Sequence, residues 1–248
     1  VTSGVQNTLI GSAAGDALTD ADFNVAVGYG ALTTDTKGSM SVAVGYTALG
    51  TQNMTTATNA LNVAVGQAAG SAVTTGTFNT FLGGLAGDSL TTGSSNIYIG
   101  YNTTESAVDA GSEVVLGAGL TGKGNVTSFI QGQAFNSSNT STWSTTSDQR
   151  LKKNIVDNTV GLNAINQVQV RNFEYRTEDE INELPADQAI DKEGVQLGVI
   201  AQEIQTVLPD MVTEESTGVL SVDSDNMTWY LVNAVKELSA QVTALTTR

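Results

Sequence analysis

Apolar positions in the first half of the chain fall into short clusters, and the clusters recur. NTLIG (7–11), NVAVG (24–28), SVAVG (41–45), NVAVG (62–66), NTFLG (79–83), NIYIG (96–100) and EVVLG (113–117) share one pattern. The closing glycines are Gly11, Gly28, Gly45, Gly66, Gly83, Gly100 and Gly117. All but one of the steps between them are equal, and the step from Gly45 to Gly66 is longer by a four-residue insertion. A period this regular predicts a stacked β-repeat over 1–117, with seven repeats and one coil for each glycine.

The residue before each glycine is apolar: Ile10, Val27, Val44, Val65, Leu82, Ile99 or Leu116. The one before that is Leu9, Ala26, Ala43, Ala64, Phe81, Tyr98 or Val115. Both faces of these strands are thus largely apolar, unlike the alternation of a half-exposed strand. Stacked coils would shield the strand edges, and a partner chain could cover the second face. Glycine permits the turn that follows. Asn leads five of the seven clusters, and stacking would align these side chains in a ladder. Ala14, Ala31, Ala48, Ala69 and Ala86 sit three residues after a glycine, where a small side chain allows close approach between coils or chains.

The repeat stops at 118. SFIQGQAF (128–135) alternates weakly and suits one more strand. NSSNTSTWSTT (136–146) is a polar run, so 118–146 is expected to be a tip or linker. Trp143 stands out there, either as an anchor for the linker or as a sugar-stacking surface.

From 147 the pattern becomes α+β. A basic start, SDQRLKKNI (147–155), precedes a predicted helix over 159–168 and a strand at VRNFEYR (170–176). An acidic loop follows at 177–194. VQLGVIAQEIQTVLPDMV (195–212) passes from strand to helix and stops at Pro209, and VLSVD (219–223) reads as a strand. The final helix is predicted over 226–248, capped by Asp225 or Asn226. Its Leu231, Val235, Leu238, Val242 and Leu245 are spaced 4, 3, 4 and 3, a coiled-coil seam. The alternative is that the helix packs only on its own domain.

Charge divides the chain at the same place. Residues 1–146 hold Lys37 and Lys123 as their cations and eight acidic residues, while 147–248 hold eight cations and seventeen acidic residues. The net charge of -15 argues against a nucleic-acid partner. No apolar run is long enough to span a bilayer, so no membrane insertion is expected. The chain opens on Val1 without a signal-like segment, as expected of a fragment or processed product. It has no Cys and no His, which removes disulfides, thiolate chemistry and the commonest general base, and no cofactor or metal is expected. Serine chemistry here would need Lys, Asp or Glu as base.

The Asn–apolar–apolar–apolar–Gly repeat over about 7–117 resembles the head repeats of trimeric adhesins and of many phage fibres. SDQRLKKNI, RNFEYR, GVIAQEIQTVLPDMV, LSVD and LVNAVKEL, in this order, resemble the endosialidase-type intramolecular chaperone that ends phage tailspikes and fibres. One departure is Ser224-Asp225-Asn226, where the family often has a tyrosine soon after the Val-Asp pair. Together these resemblances imply a mixed fold: a trimeric β-repeat shaft, then an α+β chaperone (147–248) ending in a long helix. They imply a virion tail fibre or tailspike, made in the host cytoplasm, whose mature part binds a host cell-surface glycan or receptor. The chaperone would drive a homotrimer into register and then cut itself off, with Ser147 as nucleophile and Lys152 as general base.

The chemistry is self-consistent. A serine hydroxyl needs a base to take its proton, and a lysine serves only when burial or neighbouring cations favour its neutral form. Arg150 and Lys153 flank Lys152, and Asp148 is placed to position Arg150. Backbone amides of the turn are candidates to hold the oxyanion. The favoured cut lies between Thr146 and Ser147. Two other functions compete. A bacterial trimeric adhesin explains the repeats but not 147–248. A glycan-degrading tailspike needs paired carboxylates across a cleft, and the acidic residues of 1–146 are scattered.

Overall fold

The computed structural model describes residues 1–132, 146–184, 188–190, 192–215 and 217–247. The chain forms two compact units, 1–134 and 135–248.

The first unit is a β-solenoid. Its strands are β1 (Thr8–Ile10), β2 (Val25–Val27), β3 (Gly38–Ser39), β4 (Val42–Val44), β5 (Thr58–Asn59), β6 (Val63–Val65), β7 (Thr80–Leu82), β8 (Ile97–Ile99), β9 (Val114–Leu116) and β10 (Ser128–Ile130). Eight of them form one parallel sheet in the order β1-β2-β4-β6-β7-β8-β9-β10. SFI at 128–130 is thus one more strand beyond the last glycine-closed repeat. Register follows the repeat: Ala26 pairs with Ala43, Ala43 with Ala64, Phe81 with Tyr98 and Tyr98 with Val115.

Because successive side chains of a strand point to opposite faces, each three-residue strand sends its middle side chain inward. Ala26, Ala43, Ala64, Phe81, Tyr98 and Val115 are fully buried. The residues on either side of them face out. Ala31, Ala48, Ala69 and Ala86 are also fully buried, so these alanines serve close packing inside the coil. The glycines turn the corner at positive φ, 130° at Gly28 and 144° at Gly66. A Cβ on Gly66 would overlap the carbonyl oxygen of Gly83 in the next coil, so stacking as well as the turn demands glycine there.

The asparagines form the expected ladder. Asn24 donates from Nδ2 to the Gly38 carbonyl (2.9 Å) and accepts from the Ser41 amide at Oδ1 (2.9 Å). Asn79 repeats this with Gly93 (2.9 Å) and the Asn96 amide (3.0 Å). Ser41 is too short to continue it. Gln52 fills the gap: its Oε1 accepts from Asn62 Nδ2 (2.8 Å), and its Nε2 donates to buried Asp35 (2.5 Å). Asp35 also accepts from the amides of Gly38 (2.9 Å) and Met54 (3.0 Å). The insertion follows directly. Asn53 still meets Thr36 at the regular repeat spacing, whereas Thr58 pairs with Gly38 across a longer step.

The last coils add buried polar groups to the apolar interior. Glu113 holds the ladder position and is fully buried, accepting from Tyr98 Oη (2.8 Å) and the amides of Gly124 (2.9 Å) and Ser106 (3.2 Å). Burial, then the Glu113 carboxylate, pushes the Tyr98 phenol well above its usual range. Glu105 Oε2 and Thr103 Oγ1 are buried without a hydrogen-bond partner among the described residues. Burial first, then the charges of Asp88 and Glu113, raises the Glu105 carboxyl to about 7. A carboxyl that binds its proton more tightly when folded contributes most below its unfolded pKa, and that contribution is lost as pH rises through about 7. Glu105→Gln should therefore flatten the pH dependence of thermal unfolding and raise Tm at pH 8, by about 2–3 kcal/mol of stability. A wild-type Tm that does not fall between pH 5 and 8 would count against this assignment.

The second unit is α+β. Its elements are α1 (Leu162–Ile165), β11 (Arg171–Phe173), β12 (Gln196–Gly198), α2 (Ala201–Val207), β13 (Val212–Glu214), β14 (Leu220–Val222) and α3 (Asp225–Thr246). β11 pairs antiparallel with β12, and β13 with β14. Ile204, Leu208, Met211 and Tyr230 form its core, with Ala164, Val207, Val222 and Met227 packed around them. Several predicted boundaries shift, and the strand expected over 170–176 is limited to Arg171–Phe173. The helix expected over 159–168 is a single turn at Leu162–Ile165, entered at Gly161 without a side-chain cap. The last helix is capped at Ser224, one residue before the expected cap, with the Asp225 amide bonded to Asp223 (2.9 Å). α2 ends as expected, since Pro209 opens a separate 3₁₀ turn.

Candidate active site

The basic segment at 147–155 folds back on itself over one short turn. Gln149–Leu151 is a 3₁₀ turn capped by Asp148, whose carboxylate accepts from the Arg150 amide (2.8 Å). The Leu151 amide bonds the Asp148 carbonyl (3.1 Å), and the Lys152 amide bonds the Gln149 carbonyl (3.1 Å). This turn brings the two ends of the short segment together. Lys152 Nζ donates to Ser147 Oγ at 2.6 Å. That separation also suits the reverse direction, hydroxyl to neutral amine, which a general base requires.

Asp148 holds Arg150 through Nε (3.0 Å) and Nη2 (2.7 Å). The bonded guanidinium lowers the Asp148 carboxyl below its usual range, and the carboxylate raises Arg150 in turn. This exposed pair braces the turn; the Arg150 charge is engaged there rather than turned on Lys152. The amides of Arg150, Leu151 and Lys152 are likewise bonded within the turn, so none of these three is free to hold an oxyanion. Ser147, Lys152 and Thr146 are all exposed, as are Leu151, Ile155 and Val156 beside them. Trp143 and the run before Thr146 lie outside the described residues.

Residues 147–213 match the family model described as chaperone of endosialidase. The match begins on Ser147 itself and runs through the core helix α2. No curated protein matches the chain. The matched segment contains both members of the Ser147–Lys152 contact, and the family it matches is named for a peptidase as well as a chaperone. Among the described residues, no helix is long and apolar enough to cross a membrane and no cluster of acidic residues could hold a metal ion.

The final helix α3 uses two faces. Tyr230 and Ala234 are buried against its own unit, with Tyr230 Oη bonded to Asp210. Leu231, Val235, Leu238, Val242 and Leu245, the 4-3-4-3 seam, are all exposed. Helix docking on its own domain and an open seam thus coexist, because the two sets lie on different sides of one helix.

Proposed function

We propose that this chain is a segment of a phage tail fibre or tailspike whose chaperone drives homotrimer folding and then removes itself at Ser147. The Lys152–Ser147 contact of 2.6 Å, at the first residue of the chaperone-of-endosialidase match, carries the reading. Ser147 Oγ attacks the Thr146 carbonyl carbon, Lys152 takes the hydroxyl proton, and the backbone nitrogen of Ser147 leaves protonated. An ester then links Thr146 to Ser147 Oγ. Water opens it, giving a Thr146 carboxylate and a regenerated serine hydroxyl. Asp148 and Arg150 act as supports, holding the turn that joins the pair.

In the single chain both reacting side chains face solvent. A lysine becomes a base more readily when buried, and a partner copy covering Leu151, Ile155 and Val156 would supply that burial. Cleavage is therefore coupled to assembly. The open seam of α3 is suited to packing against the same helix of other copies. The mature 1–146 part would serve in the virion, binding a host glycan or receptor. A bacterial adhesin would account for the solenoid but not for the match at 147–213.

Intact mass of the purified protein is the direct test. Two pieces of 146 and 102 residues are expected (248 − 146 = 102). A single uncut species in fully assembled protein would refute autoproteolysis.

A further inference from the structure

We propose that a shallow cleft on the solenoid wall, floored by Gly50, binds an uncharged saccharide. The inference rests on the host-glycan reading of the mature part given above and assigns it a site.

The cleft has a volume of about 530 Å³, within the range of small-ligand pockets. It opens because one column of equivalent residues lacks a side chain. Asp16, Thr33, Gly50, Ser71 and Asp88 hold the same place in successive coils, and Gly50 leaves a gap between Thr33 and Ser71. Gly50 lies outside the left-handed region, so the turn itself does not demand glycine there. A Cβ on it would stand 3.1 Å from the carbonyl oxygen and 3.5 Å from the Cβ of Thr47, which also lines the cleft.

Thr47 is the second observation. Its φ is 52°, an outlier for a β-branched side chain. Gly30 and Gly119 take the same conformation at the same place in their own coils, where glycine bears it without strain. The Thr47 hydroxyl forms no hydrogen bond among the described residues, although its amide and carbonyl are both bonded. Strained backbone that presents a free hydroxyl to a cleft is the kind of feature found at ligand contacts.

The rest of the lining selects the ligand. Thr34 Oγ1 donates to the Gly50 carbonyl (2.6 Å), Thr51 Oγ1 to the Ser71 carbonyl (2.5 Å) and Thr33 Oγ1 to Asp16 (2.7 Å). These hydroxyls have committed their protons to the protein and keep only lone pairs, so a ligand has to bring O–H donors. Threonine methyls and Ala72 leave much of the remaining surface apolar. A sugar ring combines the two properties, with C–H faces and hydroxyls around its edge. No charged residue lines the cleft, and Asp16 and Asp88 stand two coils away on either side, about 10 Å by strand spacing. Flanking carboxylates without a lining cation disfavour an acidic sugar.

The test presents assembled full-length protein to immobilised oligosaccharides, some built of neutral hexoses and deoxyhexoses and others carrying uronic acids. At least one neutral oligosaccharide should bind, and the acidic ones should not. Gly50→Val, which fills the gap, should weaken that binding by about tenfold or more. Thr47→Gly removes the free hydroxyl and should weaken it by about threefold or more. Its Tm should change little, because relief of the left-handed φ offsets the greater freedom of glycine in the unfolded chain. That variant keeps the test decisive if Gly50→Val folds poorly. Neutral-saccharide binding that survives both substitutions would overturn the cleft and leave the host-glycan reading standing. Binding confined to acidic oligosaccharides would overturn the assigned ligand. Protein that binds neither kind would sink the host-glycan reading and this inference together, while intact mass still decides autoproteolysis.

Discussion

A Ser147→Ala chain should remain a single 248-residue species under conditions where the wild type is fully cut, while its assembly is unchanged. The hydroxyl is the only group of that side chain able to form the ester, and alanine offers no substitute. Lys152→Arg should slow the cut at least ~100-fold, because a guanidinium keeps its proton and cannot act as base. Arginine also keeps the positive charge beside Ser147, so this variant separates proton transfer from simple charge. Chelators and thiol reagents should have no effect. Asp148→Asn should give a smaller loss, since it loosens the Arg150 brace without removing either reacting group. Cleavage that persists in Ser147→Ala would end the mechanism. Efficient cleavage in an isolated monomer would spare the serine and lysine but remove the coupling to assembly.

Removing everything after Thr146 should cost at least tenfold in soluble, assembled shaft, with the remainder monomeric or aggregated. The physical reason lies in the repeat itself. Coils related by one repeat period are nearly equivalent, so copies that slip by one coil still find apolar partners. Such slipped states are slow to leave once the stack has closed, because many coils must separate together. The exposed sheet face and the end strands β1 and β10 make these intermediates prone to association. A chaperone that gathers the chain ends first would suppress the slip. Assembled shaft, once released from it, should resist heat and detergent. Light scattering on the truncated and full chains decides the matter: equal assembly would defeat the chaperone role.

Much of this molecule is legible in its sequence. A near-constant period of short apolar clusters, each closed by a glycine, predicts a stack of short strands in which equivalent residues of successive coils meet. The Asn ladder follows from the same translation. Ser147 and Lys152 are legible only because ordered motifs resemble a family; a serine and a lysine at that separation have no intrinsic pattern.

Other features depend on contacts that spacing does not encode. The 2.6 Å approach of Lys152 to Ser147 needs the 3₁₀ turn, which is set by Asp148 bonding both the amide and the guanidinium of Arg150. The one-turn length of α1 reflects its entry at Gly161 and its docking through Ala164 and Ile165, since packing outweighs helix propensity in so short a segment. Gln52 and Asp35 read as ordinary polar residues until the stack places them beside the rung that Ser41 leaves incomplete. Glu105 and Glu113 read as scattered charges in the sequence, yet the last coils bury them. The repeat period determines which residues share a coil position, but whether a given position is wet or dry is decided by the coil stacked upon it.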